Sequence, residues 1–149
     1  MLRKNTIYDN LQYVDSGKNK EERFARLKEI DCTSIKQIFE LTYNPNLKWM
    51  LPDKEYKFNF SRDEPNSTTL NFLKEIKKIA IFLNVGTYAN LPEKKRENIF
   101  VSMLENIHPD DTKVLLAMRQ RKLPFKNLTK SFVEEFYKGG FPRFWKKST

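Results

Sequence analysis

The stretch IHPDDTKVLLAMRQRKLPFKNLTKSFVEEFYKGGFP, residues 107–142, joins the clearest helix punctuation in the chain to much of its positive charge. Pro109 suits the first turn of a helix, because the N–H it lacks would have had no partner there, and Asp110 with Asp111 complements the positive end of the helix dipole. A helix therefore starts near His108. Val114, Leu115 and Met118 fall on one face, while Arg119, Arg121 and Lys122 crowd the last turn, where cations are favoured. Pro124 ends it. A second helix is expected from about Asn127 to Lys138, with Phe132, Val133, Phe136 and Tyr137 on one face. It should stop at Gly139-Gly140, where a left-handed residue is easily accommodated. The two helices flank a short basic turn, RKLPFKN.

Outward from this stretch, the charge is unevenly distributed. Residues 1–62 carry 12 Lys/Arg against 9 Asp/Glu, residues 63–112 carry 6 against 8, and residues 113–149 carry 10 against 2. Nearly all of the net +9 is thus in the last quarter of the chain. Segregation of this kind points to a polyanionic partner, nucleic acid first, more strongly than a diffuse excess of base would. The competing reading is a solvated face that keeps a small protein soluble.

Upstream, Thr6 is expected to cap a helix with Ile7, Leu11 and Val14 on its inner face, ending at Asp15-Ser16-Gly17. A second helix buries Phe24, Leu27 and Ile30. A third begins near Thr33 or Ser34, carries Ile35, Ile38, Phe39 and Leu41, and ends by Asn44, because Pro45 disfavours a helical residue before it. From Leu47 the pattern changes. Tyr56, Phe58 and Phe60 alternate with polar residues, which predicts a short extended segment near 53–60. Asn66, Ser67 and Thr68 offer caps for a long central helix bearing Phe72, Ile76, Ile79 and Leu83, ended by Gly86. Pro92 opens another, with Ile99, Phe100, Met103, Leu104 and Ile107 inside. Lys94, Lys95 and Arg96 stand in its first turn, beside free backbone N–H groups that favour an anion.

The expected architecture is all-α, a single bundle of about seven helices over residues 1–142, followed by a basic tail at 143–149. No apolar run is long enough to cross a bilayer, and the start lacks the apolar core of a secretory signal, so a cytoplasmic protein without membrane contact is expected. Cys32 and His108 are the only residues of their types, which leaves no disulfide framework and no Cys/His metal cluster within one chain. Phosphate-binding glycine loops and metalloprotease motifs are absent from the sequence. Asp110-Asp111 and Glu134-Glu135 are adjacent on helices and point in different directions. No catalytic residue, cofactor, metal or small-molecule substrate is expected, and a binding protein is favoured over an enzyme.

Three stretches resemble the N-terminal, all-helical DNA-binding domain of ATP-dependent DNA ligases, most closely those of large tailed phages: SIKQIFELTYNPNLKWML at 34–51, TLNFLKEIKKIAIFLN at 69–84, and DDTKVLLAMRQRKL at 110–123 with FVEEFYKGGFP at 132–142. The resemblance covers nearly the whole chain through short motifs. Arg121 and Leu123 match an Arg-Asp-Leu helix end of that family, and Tyr137, Gly140 and Pro142 approximate its closing aromatic-Pro-Gly pattern. The departures are also specific. Pro92, Glu93 and Lys94 replace a Thr-Gly-Asn helix start, Pro124, Phe125, Lys126 and Asn127 replace a small-residue turn, and the K-x-D-G nucleotidyltransferase motif is missing. The resemblance implies a phage-encoded, stand-alone domain that grips duplex DNA by its phosphates across a minor groove and acts in the host cytoplasm, in replication, packaging or transcription.

The candidate DNA contacts are Lys94, Lys95 and Arg96 at one helix start, Arg119, Arg121, Lys122, Lys126 and Asn127 at the central turn, and Lys130 beyond it, with Arg121 foremost. Double-stranded DNA is the expected partner. A second class stays open: an adaptor that docks a polymerase, a sliding clamp or a host factor, such as a replication or transcription protein, through KSFVEEFY or the aromatic tail Phe141, Phe144 and Trp145.

Overall fold

Thr6 acts as the expected cap: its Oγ1 accepts the Asp9 N–H at 3.0 Å and opens α1, Ile7–Asp15, whose Ile7, Leu11 and Val14 are fully buried. A computed structural model describes residues 6–52, 54–58, 76, 78–83 and 90–138. After the turn at Ser16-Gly17, the Asn19 side chain accepts from Glu22 N–H at 2.8 Å and caps α2, Lys20–Ile30. α1 and α2 form a hairpin. Arg26 locks it, because its guanidinium lies 4.7 Å from the Tyr13 ring centre and donates to Tyr13 O at 2.8 Å, Ser16 Oγ at 2.9 Å and Glu22 Oε1 at 2.6 Å.

α3, Thr33–Tyr43, ends two residues before Pro45, and its C-cap Asn44 is extended, as the restriction on residues preceding proline requires. α4, Glu93–Asn106, and α5, Pro109–Arg119, are joined by Ile107 and His108. His108 is itself the cap of α5, its Nδ1 accepting from Asp110 N–H at 3.0 Å. Thr112 Oγ1 ties the two helices by donating to Leu104 O at 2.9 Å. The central element is α5, which packs against α1, α3 and α4. Its buried Asp111 reaches across to α1 and accepts the Tyr8 N–H at 2.8 Å. Burial pushes the Asp111 carboxyl up to about 6, against the lowering effect of the α1 N–H groups and of His108.

α6, Lys130–Phe136, closes the described part of the chain under a Thr129 cap. Phe132 and Phe136 pack on Phe24 of α2, and Tyr137 packs on Phe39 of α3 while donating to Asp31 at 2.8 Å. The Tyr43 hydroxyl at the end of α3 donates to Leu128 O and so ties the segment before α6 to α3.

The all-α class is correct, with six α-helices among the described residues. Two boundaries differ from expectation. The last helix begins at Lys130 rather than Asn127, because Asn127 belongs to a turn closed by Leu128 N–H on Phe125 O at 3.1 Å. The helix expected through Leu83 becomes a 3-10 turn over Ile79–Phe82, and Leu83 is extended, bridging antiparallel to Trp49. Residues 54–58 have no regular structure. An extended pairing occurs at 49–50, where Met50 N–H also donates to Phe82 O, and residues 53, 59 and 60 of the segment expected near 53–60 lie outside the described residues. Aromatics hold this strap, residues 49–52 and 54–56: Trp49 stacks on Phe82 and Tyr56 meets Phe100 edge-on. The caps expected at Asn66 to Thr68, the Gly139-Gly140 stop and the 143–149 tail lie outside the described residues. Among the described residues no helix is long and apolar enough to cross a membrane.

Candidate nucleic-acid interface

α5 ends in a Schellman turn. Arg121 N–H donates to Met118 O at 3.0 Å and Lys122 N–H to Ala117 O at 3.1 Å, which requires a left-handed residue at position 121. Glycine is usual there, yet the residue is arginine, at φ 66°. The unusual conformation has a use. It turns the guanidinium back under α3, where Nη1 donates to Leu41 O and Leu47 O at 3.1 Å each and Nη2 donates to Asn44 O. Helix ends leave carbonyls without partners, and Pro45 prevents α3 from continuing to supply them. Arg121 is therefore a cross-helix cap. Burial and the neighbouring Arg119 charge lower its pKa.

Three other expected contacts are also committed to the fold. Arg119 donates through Nη2 to Leu51 O, and its Nε is buried without a hydrogen-bond partner. Arg96 is only 3% exposed and donates through Nε to Ile81 O at 3.0 Å. Asn127 donates its backbone N–H to Asp15 Oδ1 at 2.8 Å and its Nδ2 to Asp15 O at 3.0 Å. The reading of Arg96, Arg119, Arg121 and Asn127 as surface contacts is thereby revised. Planar guanidinium and amide groups match backbone carbonyls well, so the same geometry that would suit a phosphate serves internal capping.

The five lysines behave differently. Lys94, Lys95, Lys122, Lys126 and Lys130 are all exposed. From 122 to 126 exposure alternates strictly, with Leu123 and Phe125 buried and Lys122, Pro124 and Lys126 outside. Four residues of chain separate Lys122 from Lys126, so their Cα atoms are at most about 13 Å apart. Lys126 sits at the corner of the 125–128 turn and Lys130 in the first turn of α6. Lys94 and Lys95 occupy the first turn of α4, whose cap, Pro92, offers no side-chain acceptor. The strap connects the two groups: Leu51 receives Arg119 from the end of α5, and Lys54 pairs with Glu97 in α4. Three residues of chain span at most about 10 Å, so both sets of lysines lie towards the same end of the α4–α5 pair.

Among the described residues no group of three His, Cys, Asp or Glu could hold a metal ion. Asp111 supports α1, while Glu135 pairs with Lys20. Lys78, Asn98 and Ser102 escaped the sequence reading. With Lys95, Ile99 and Met103 they line a cavity, and the spacing 95, 98, 99, 102, 103 of a single helix stripe is the signal that could have revealed it.

Residues 10–124 match DUF6433, described as a family of unknown function. No curated protein and no solved structure matches the chain.

Proposed function

From a chain that belongs to the DUF6433 family, we propose a protein that binds double-stranded DNA through its phosphates, with little sequence preference and no catalytic step. One observation carries the reading. When four of nine candidate groups turn inward to cap backbone carbonyls, the five that stay exposed are all lysines, at the starts of α4 and α6 and in the turn between α5 and α6. Lysine is a compact, strongly hydrated point charge suited to phosphate, without the planar fork that reads a guanine edge. Such contacts position a protein on a duplex and carry no sequence information. The reading rests on the described lysines and not on the likeness to ligase domains.

Fluorescence anisotropy with a 20-base-pair duplex across a salt series tests it. Five neutralised phosphates give a log–log slope of about −4.5. Replacing Lys122, Lys126 and Lys130 together by Glu should reduce the slope to about −2 and weaken binding more than about 100-fold at low salt. These side chains are exposed, so the variant should keep the wild-type melting temperature. Retained affinity in a folded triple variant would dismiss the proposal.

A further inference from the structure

The last residue of α1 holds the turn that carries Lys126. A helix end leaves four carbonyls without partners, and those of α1 are all supplied from elsewhere. Ser16 N–H donates to Gln12 O at 2.9 Å, Arg26 Nη1 to Tyr13 O at 2.8 Å and Gly17 N–H to Val14 O at 3.1 Å. The fourth, Asp15 O, accepts from Asn127 Nδ2 at 3.0 Å, 112 residues away in the chain. The contact is reciprocal, because Asp15 Oδ1 accepts the Asn127 N–H at 2.8 Å.

Two further anchors flank this pair. The buried Phe125 ring packs 5.2 Å from the Tyr8 ring of α1, and Leu128 O accepts from the Tyr43 hydroxyl of α3. Leu128 N–H closes the turn on Phe125 O. Phe125, Asn127 and Leu128 are each fastened to another helix, while Lys126 between them is exposed. Lys130 follows directly on the Thr129 cap of α6. A mobile turn would lose backbone entropy on meeting a partner, and a turn fixed during folding avoids that loss. The half-exposed Asp15 carboxylate opposes an approaching phosphate by its charge, so its use beside a cationic turn lies in its acceptor oxygen.

We propose that Asp15 is a positioning residue of the duplex-binding surface: it touches no phosphate, and by fixing Asn127 it presents Lys126 and Lys130 to the DNA backbone already ordered. The inference rests on the duplex reading above. It also reverses the role that the sequence suggested for Asn127, which meets α1 instead of DNA. Losing this anchor removes no phosphate contact. Affinity therefore falls by the same factor at every salt concentration and the log–log slope stays, whereas losing a lysine changes the slope.

Fluorescence anisotropy of the full chain with a 20-base-pair duplex, for Asp15→Asn and Asp15→Ala across a salt series, tests the assignment. The two variants lose the same charge, and only asparagine keeps an acceptor for the Asn127 N–H. Asp15→Asn should bind at least as tightly as wild type. Asp15→Ala should bind about five- to tenfold more weakly than Asp15→Asn, with a slope of about −4.5 in both. Asn127→Ala keeps the backbone bond and loses the amide one, so it should weaken binding about two- to threefold, and it decides the matter if Asp15→Ala folds poorly. Arg121→Ala, which lowers stability and leaves this anchor intact, should change affinity less than about twofold. Equal affinity of the two Asp15 variants, a shallower slope in Asp15→Ala, or full affinity in Asn127→Ala would overturn the positioning role and leave the duplex reading in place. Absence of duplex binding by wild type would overturn the duplex reading and this inference with it.

Discussion

Removing the Arg121 side chain should cost stability before it costs anything else. The guanidinium makes three hydrogen bonds to carbonyls at and beyond the end of α3, and Leu41 O keeps a second donor in Trp49 Nε1 at 3.1 Å. At about 1 kcal/mol for each bond, a modest figure for a charged donor that is partly solvated, Arg121→Ala should destabilise the fold by about 3 kcal/mol. Alanine would keep the strained left-handed backbone without its compensation. Arg121→Gly loses the same bonds but relaxes the backbone, which returns about 1 kcal/mol. The predicted order is therefore arginine, then glycine, then alanine. For a chain of this length the alanine variant should melt roughly 6–12 °C lower. Urea unfolding followed by tryptophan fluorescence and circular dichroism measures the differences, since Trp49 shares an acceptor with Arg121 and senses the cap directly. Under conditions where each variant is folded, duplex affinity should change less than about twofold, in contrast to loss of a phosphate contact. An alanine variant within about 0.5 kcal/mol of wild type, or one more stable than the glycine variant, would refute the capping argument.

Asp111→Asn should remove a pH dependence. The folded carboxyl titrates at about 6 against about 3.9 when unfolded, so protonation favours the fold below pH 4 and this contribution is lost as pH rises through 6. The stability of wild type relative to the variant should fall by about 2 kcal/mol between pH 4.5 and 7, and paired urea titrations at those two values would expose a flat difference if the assignment fails. At the α1–α2 turn, a Cβ on Gly17 would stand 2.7 Å from Arg23 Cγ and 3.0 Å from Arg23 N. Because backbone cannot retreat as a side chain can, Gly17→Ala should cost about 1–3 kcal/mol in thermal melts, and an unchanged melting temperature would count against that packing. Tyr43→Phe removes the donor to Leu128 O and should cost about 1–2 kcal/mol, with amide exchange fastest around residues 123–130 if the bond anchors that segment.

The sequence was most readable where one local rule acts alone. Thr6, Pro45 and Pro109 fix helix ends through backbone chemistry that needs no tertiary partner, and all three behave as expected. The apolar faces of α1, α3 and α5 followed from their spacing for the same reason. Less legible was what arginine does. In RKLPFKN and EKKRE, arginine and lysine carry the same charge, but which of them turns inward depends on carbonyls supplied by residues 41 to 51 and by Ile81, distant in sequence. The Leu83 bridge to Trp49 was hidden too, since the helical spacing of Ile76, Ile79 and Leu83 also fits a 3-10 turn leading into an extended residue. Asn127 was expected to open the last helix and to meet DNA, and Asp15, distant in sequence, supplies both its partners instead.

The central claim, that exposed lysines hold a duplex by its phosphates, is tested most directly by the salt dependence of duplex affinity in wild type and in the Lys122, Lys126 and Lys130 to Glu variant. The account predicts a log–log slope of about −4.5 that falls to about −2, with no difference between two duplexes of unrelated sequence. A slope near zero, or the same slope in both proteins, would contradict it.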